Sequence, residues 1–179
     1  MLDAIFRADW FTHIVAVLVF FSHLGDILST RLATPTLKLE ANPLMRRGGW
    51  PLVYGTLLIA LIPYYSLPIG VAFIATSLLV TSSNLSRGWI AHTLGEAEYE
   101  ALLLRVATRS RRSIALRFVL GAATNVIFAG LLLVWLSGSA LTWTYWFGVG
   151  IVLYGLAIAF HGSLFVVRLY RRAAVPSLI

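Results

Sequence analysis

The spacing of apolar residues constrains the fold of this chain more than any other feature. Short polar or proline-containing stretches separate five apolar segments, which lie at about residues 10–33, 50–65, 69–88, 114–136 and 143–169. About 20 apolar residues are enough for a helix to cross a bilayer. Hydrophobic residues form 59% of the chain and charged residues 12%, whereas roughly a quarter of a soluble domain is charged. The sequence therefore predicts one all-α domain, residues 1–179, that forms a polytopic membrane bundle of five transmembrane helices.

The basic residues predict how these helices are oriented. Of the 14 Lys and Arg residues, all but Arg7 fall in or beside the stretches that follow the first, third and fifth segments. Cytoplasmic loops are enriched in Lys and Arg, so the N-terminus is expected outside the cell and the C-terminus in the cytoplasm. A four-helix interpretation, which joins residues 50–88 into one span, would put basic clusters on both sides, so we expect five. The expected location is a prokaryotic inner membrane.

Composition also excludes several classes of function. The chain has no cysteine, so it forms no disulfide, iron–sulfur cluster or thiolate metal site. It has no His-Glu-x-x-His motif, nucleophile elbow, phosphate-binding glycine loop or dinucleotide fingerprint. Membrane topology explains the net charge of +7, and we expect no nucleic-acid partner. Residues 96–113 run from three glutamates to several arginines, which predicts an amphipathic cytoplasmic linker on a surface of anionic lipids.

The first segment carries an acid, Asp26, inside its apolar run. A charged side chain within the bilayer costs roughly 2.5–3.5 kcal/mol unless it is paired or hydrated. His23, Asp26 and Thr30 recur at i, i+3 and i+7, so they share one face of a helix. This stripe predicts a polar pocket that is open to the cytoplasm. The alternative is that Asp26 pairs with an arginine or caps a helix, purely for assembly.

Glu40-Ala41-Asn42-Pro43 precedes the second segment. Asn42 suits the N-cap of a helix and Pro43 suits its first position, so the box alone predicts a helix start. It also predicts that Glu40 lies near the mouth of the pocket. Asp26, Glu40 and His23 are then candidate ligands for a divalent metal ion, the cofactor that we consider, although their spacing matches no strict metal motif.

The later segments add further candidates for this pocket. Arg87, at the end of the third segment, is the expected partner of Asp26 or of a ligand phosphate, with contact to lipid headgroups as the alternative. Asn125 lies near the bilayer centre, so the face that it shares with Gly121 and Phe128 is expected to be interior. The complete predicted ligand-binding set is His23, Asp26, Thr30, Glu40, Asn42, Asn84, Arg87, Asn125 and His161.

Three glycines in the fifth segment, Gly148, Gly155 and Gly162, recur at intervals of seven residues. Small residues at helical spacing allow two helices to approach closely. This seam is expected to contact either another span of the chain or a second copy or partner subunit.

The order Asp26, Ser29-Thr30 and then Glu40-x-Asn42-Pro43-Leu44-Met45-Arg46 resembles a family of small prokaryotic polytopic membrane proteins of unknown function. Members carry an Asp in the first span and a Glu-x-Asn-Pro box before the second. The resemblance implies a role for Asp26, Glu40 and Asn42 and supplies no activity. The fourth and fifth segments have no counterpart in it.

Three functions are compatible with these features. The first is a protein that binds or transports a cation or an anionic head group in the pocket. The second is an intramembrane metal-dependent hydrolase or transferase that acts on a lipid-like substrate. The third is a membrane scaffold or accessory subunit whose polar residues serve assembly. We favour binding or transport.

Overall fold

A computed structural model describes residue 5 and residues 8–174, and every regular element among them is helical, which confirms the all-α prediction. The helices are α1 (Trp10–Ala33), α2 (Pro43–Gly55), α3 (Leu67–Leu94), α4 (Glu96–Arg109), α5 (Arg112–Leu136), α6 (Trp143–Ala157) and α7 (Ser163–Ala173). A 3₁₀ helix, Thr56–Tyr64, continues α2, and a π-helical turn, Ile158–Gly162, joins α6 to α7. Arg7, the basic residue expected on the outer side, lies outside the described residues.

Four helices in the described part are long and apolar enough to cross a membrane: α1, α3, α5 and the continuous helix Trp143–Ala173. The predicted segment 50–65 takes a different form, because it is divided between α2 and the 3₁₀ helix. Gly49 has a φ of 66° and kinks α2, while Pro51 and Pro63 each lack a backbone N–H donor. The count of five crossings therefore stays a prediction.

Helices α1 and α3 lie side by side and run in the same direction. Gly70 lies against Val15 near their starts, and Gly88 lies against Ala33 near their ends. Residue numbers therefore rise together along the two helices. The chain between them, residues 34–66, consequently returns to the end of the bundle where α1 begins.

Helices α5 and α6 form an antiparallel pair along the glycine seam. A Cβ added to Gly148 would lie 2.9 Å from the carbonyl oxygen of Gly130. Gly155 approaches Ile127 of α5 in the same way, and Gly162 also faces α5. The seam thus contacts another helix of the same chain, the first of the two alternatives. A second copy or a partner subunit at this seam stays a prediction.

The prediction that Asn125, Gly121 and Phe128 lie on an interior face of α5 is wrong. Asn125 is exposed, Phe128 is 67% exposed, and no atom lies within 4 Å of the space that a Cβ on Gly121 would fill. The buried residues of α5 are Ala123 and Gly130. Ala123 and Gly130 are small, so they allow the backbones of α5 and α6 to approach closely. The face of α5 that carries Asn125 is therefore left exposed.

One end of the bundle collects several polar connections between distant parts of the chain. Residues 34–38 bind the side chain of Glu96 at the start of α4. Glu100 of α4 forms an ion pair with Arg172 of α7. Residues 34–42, α4 and α7 therefore lie together, and with them most of the arginines. We call this the basic end.

Candidate functional site

A cavity of about 560 Å³ lies between α1, α3, α5, α6 and residues 40–45, next to the basic end. Eight of the nine predicted ligand-binding residues line it: His23, Asp26, Thr30, Glu40, Asn42, Asn84, Arg87 and His161. Asn125 is absent from its wall, as its position on the exposed face of α5 requires. The wall also includes apolar and aromatic groups, among them Phe118 and Tyr154. That these residues bind a ligand stays a prediction.

The carboxylate of Asp26 meets only neutral hydrogen-bond donors. Its Oδ1 lies 3.4 Å from the Thr30 hydroxyl and 3.4 Å from the Asn84 amide nitrogen. Both distances exceed the usual 2.7–3.0 Å or so, and an ionised carboxylate can accept about four hydrogen bonds. No Lys or Arg within the described part of the chain forms an ion pair with it. Asp26 therefore keeps unused acceptor capacity that faces the cavity.

Asn84 joins α1 to α3 beside this carboxylate. Its amide nitrogen donates to the hydroxyl of Thr30 at 2.9 Å and lies 3.3 Å from that of Ser29. Gly88, which follows Asn84 by about one helical turn in α3, packs on Ala33 of α1. Close approach of the two helices is what brings the amide within reach of Asp26.

The hydrogen bonds of His23 are satisfied by a neutral ring. Its Nε2 lies 2.7 Å from the Thr56 hydroxyl oxygen, and that hydroxyl donates its own hydrogen to the Val53 carbonyl at 2.5 Å. The imidazole Nε2–H is therefore the donor in this contact. Its Nδ1 lies 3.3 Å from the Ser77 hydroxyl, which can donate to it, and 3.7 Å from Asp26 Oδ2. Sequence reasoning missed Thr56, since a single hydroxyl in an apolar run gives no signal of its partner.

Arg87 lines the cavity but does not pair with Asp26, so that part of the prediction is wrong. Its side chain is exposed. Arg87 follows Asn84 by three residues, which places it about one turn nearer the basic end. The neutral amide takes the position next to Asp26 that we assigned to the guanidinium.

The Glu40-Ala41-Asn42-Pro43 box forms the predicted helix start. Asn42 is the N-cap of α2, and its side-chain oxygen accepts from the Leu44 N–H at 3.0 Å. Glu40 Oε1 accepts from the Asn42 N–H at 2.7 Å. The carbonyl of Glu40 accepts from Arg168 at 2.9 Å. Glu40 thus borders the cavity, but its carboxylate is bound to the backbone of its own loop.

The predicted metal centre has no support in the structure. Nowhere among residues 5 and 8–174 do three or more His, Asp or Glu side chains come close enough together to hold a metal ion. Asp26, Glu40 and His23 line the same cavity, yet hydroxyl groups lie against both nitrogens of His23 and Glu40 bonds to an amide. A divalent ion would have to displace those contacts.

His161, which lines the cavity, has a buried ring nitrogen without a partner in the described structure. It lies in the π-helical turn between α6 and α7, and its Nδ1 is buried with no hydrogen-bond partner in the described structure. A buried polar atom without a partner costs about 1–3 kcal/mol, and single π turns are frequent at functional sites.

Glu96 anchors the loop that leads from α1 to Glu40 at the basic end. Its carboxylate accepts from the Thr34 hydroxyl at 2.5 Å, from the Thr36 N–H and hydroxyl at 3.0 and 2.8 Å, and from the Lys38 N–H at 3.2 Å. Burial raises the pKa of Glu96, but these hydrogen bonds together outweigh it and leave the pKa below its ordinary value. Sequence reasoning missed this role because a glutamate at the start of α4 already suited the helix dipole.

Leu37 holds the same loop from its apolar side. It is 3% exposed and packs with Ile27 of α1 and Val53 of α2. Its φ of 58° is unusual for a residue other than glycine and costs about 1–2 kcal/mol. The strain is maintained because burial of the side chain and the hydrogen bonds to Glu96 hold the loop in place.

Comparison of the chain with protein-family models, with curated proteins and with solved structures gives no match. The resemblance to proteins with a Glu-x-Asn-Pro box therefore stays a prediction, and function is argued from the geometry of the cavity.

Proposed function

We propose that this chain is a multi-pass protein of a prokaryotic inner membrane that binds, and carries across the bilayer, a cation held at Asp26 in a cytoplasm-facing cavity. The observation that supports this is the carboxylate itself, which borders about 560 Å³ of space and meets only neutral donors. An ionised acid without a counter-charge at this depth costs roughly 2.5–3.5 kcal/mol. A cation in the cavity would supply the missing charge.

The proposal includes five crossings, because α1 and α3 run parallel and the chain between them has to return. Residues 50–64 run along α1 in the opposite direction: Trp50 donates to the Pro35 carbonyl at 2.9 Å at one end, and the Tyr64 hydroxyl lies 2.9 Å from His13 at the other. A 3₁₀ helix rises about 2.0 Å per residue and an α-helix about 1.5 Å, so these 15 residues cover about 27 Å. The hydrocarbon core is about 30 Å thick. With the basic end in the cytoplasm, the N-terminus lies outside.

The wall of the cavity favours an organic ammonium ion over a bare metal ion. Its volume of about 560 Å³ is in the range of small-molecule sites, roughly 300–1,000 Å³. Asp26 is one carboxylate, whereas hard metal ions prefer several oxygen ligands at close range. Tyr154 and Phe118 also line the cavity, and aromatic faces attract ammonium groups by about 0.5–2 kcal/mol.

Carbodiimide labelling of the purified protein tests this assignment. Dicyclohexylcarbodiimide modifies protonated carboxyl groups in apolar surroundings, and a bound cation keeps the carboxylate ionised. We expect labelling at Asp26, its loss in Asp26→Asn, and slower labelling when tetraethylammonium is present. Glu98→Gln is the matched control, because Glu98 is an exposed acid of α4 and its loss should change nothing.

Two outcomes of that experiment would refute the proposal. One is labelling of Asp26 at the same rate with tetraethylammonium, Na⁺, K⁺ or Mg²⁺ at up to saturating concentration. The other is protection of Asp26 by Mg²⁺ alone that is lost in Glu40→Gln, which would favour the metal-dependent hydrolase or transferase. Proteoliposomes loaded with radiolabelled tetraethylammonium then separate transport from binding.

A further inference from the structure

A second cavity, of about 580 Å³, lies at the basic end beside the first. Ala41 belongs to the walls of both. Its other apolar walls are Pro43, Leu164 and Val167, and its charged walls are five arginines: Arg46, Arg47, Arg168, Arg171 and Arg172. We call it the arginine groove. None of these five side chains lines the first cavity.

The arginines reach this groove from two distant parts of the chain. Arg46 and Arg47 belong to the first turns of α2, while Arg168, Arg171 and Arg172 occupy one face of α7 at i, i+3 and i+4. Like charges at this spacing repel one another. The preference of basic residues for cytoplasmic loops explains their side of the membrane but not their convergence on one groove.

Acidic side chains do not neutralise the cluster. Arg172 forms an ion pair with Glu100, the only pair between an arginine and a carboxylate within the described residues. Arg168 donates to the backbone carbonyl of Glu40 at 2.9 Å. The groove therefore carries an excess of positive charge that faces open space.

We propose that the arginine groove binds the phosphate group of an anionic ligand. The planar guanidinium fork suits phosphate oxygens and forms paired hydrogen bonds with them. Leu164 and Val167 supply an apolar edge beside the charges, as a lipid head group with attached acyl chains requires. A lipid phosphate and a soluble phosphate ester share this chemistry, and the position of the groove at the ends of membrane helices favours the lipid.

Native mass spectrometry of the detergent-solubilised protein tests the groove. Dioleoyl phosphatidylglycerol and dioleoyl phosphatidylcholine are added in turn, and bound lipid is counted in the wild type and in Arg46→Gln/Arg171→Gln. Each arginine near an anionic lipid contributes about 1 kcal/mol, so the double variant should bind phosphatidylglycerol at least about tenfold more weakly. Lys38→Gln/Arg117→Gln is the matched control, since it removes two exposed basic side chains outside both the groove and the linker 96–113.

Equal weakening in the two double variants, or equal affinity of the wild type for both lipids, would overturn the proposal. Glycerol 3-phosphate distinguishes the two sources of the phosphate. Displacement of the lipid by this soluble ester would assign the groove to a phosphate ester, and retention of the lipid would assign it to a head group. Unchanged thermal unfolding of the variants excludes misfolding as a cause. Asp26→Asn should leave lipid binding unaffected, so failure of the groove and failure of the cation site are separable.

Discussion

The contact between α5 and α6 allows two glycine substitutions in one helix to be predicted with opposite signs. A Cβ on Gly130 would lie 2.8 Å from the Gly148 carbonyl oxygen and 2.8 Å from the Val152 backbone nitrogen. Both are backbone atoms, so the helices themselves have to move apart. A Cβ on Gly121, two and a half turns earlier, would meet no atom within 4 Å.

The magnitude follows from two terms. Overpacking of a close contact costs about 1–3 kcal/mol, and alanine gains about 0.5–1 kcal/mol over glycine within a helix. Gly130→Ala should therefore destabilise the fold by roughly 0.5–2 kcal/mol, whereas Gly121→Ala should stabilise it by about 0.5–1 kcal/mol.

Reversible unfolding in mixed micelles of increasing dodecyl sulfate content measures both variants against the wild type. We expect stability to decrease in the order Gly121→Ala, wild type, Gly130→Ala. If Gly130→Ala is as stable as Gly121→Ala, the close approach of α5 and α6 does not exist in the membrane, and the glycine seam is left free for another partner.

Three further outcomes are expected. Glu96→Ala should lower the free energy of unfolding by about 2–3 kcal/mol, because it removes a charged acceptor from the buried Thr34 hydroxyl and its neighbours. It should also increase amide exchange in residues 34–42. Glu98→Ala is the control and should do neither. In the folded protein the pKa of Glu96 lies below its ordinary value of 4.5. The contribution of Glu96 to the free energy of unfolding is therefore complete above pH 4.5 and is lost as the pH falls through the folded pKa. Glu96→Gln should abolish this pH dependence, which unfolding at a series of pH values measures. Asn125→Leu should stabilise the protein by about 1–3 kcal/mol in the same micelle assay, because it removes an exposed amide from a membrane face, and a loss of stability would place Asn125 in a contact with another chain.

Much of the cavity was predictable because polar residues within an apolar helix have few explanations. The i, i+3, i+7 stripe of α1 lines the cavity as predicted, and the close approach of α1 and α3 brings Asn84 to it. The capping pattern of Asn42 and Pro43 is local, so it could be read without tertiary structure. These predictions depend on one helix or one turn at a time.

The errors came from contacts between elements, which sequence spacing does not encode. Asn125 was expected inside because a polar group near the bilayer centre needs a partner, but packing energy at Ala123 and Gly130 decided the orientation of α5. Thr56 reaches His23 because the segment that begins with it, residues 56–64, lies beside α1. The four hydrogen bonds of Glu96 join residues about 60 positions apart, and no local pattern indicates them.

Asp26 and the five arginines of the groove line separate cavities and form no ion pair with one another within the described residues. The Glu40-Ala41-Asn42-Pro43 box stands between them: Ala41 lines both cavities, and the Glu40 carbonyl binds Arg168 on the side of the groove. With its carboxylate held by the Asn42 N–H, Glu40 is kept from pairing with the arginines by its own loop. The carboxylate of Asp26 and the positive charge of the groove thus both stay available to ligands from outside the chain. Asn42 and Pro43 are enough to start α2. The hydrogen bonds of Glu40, and the anchoring of residues 34–38 by Glu96, are not needed to start that helix.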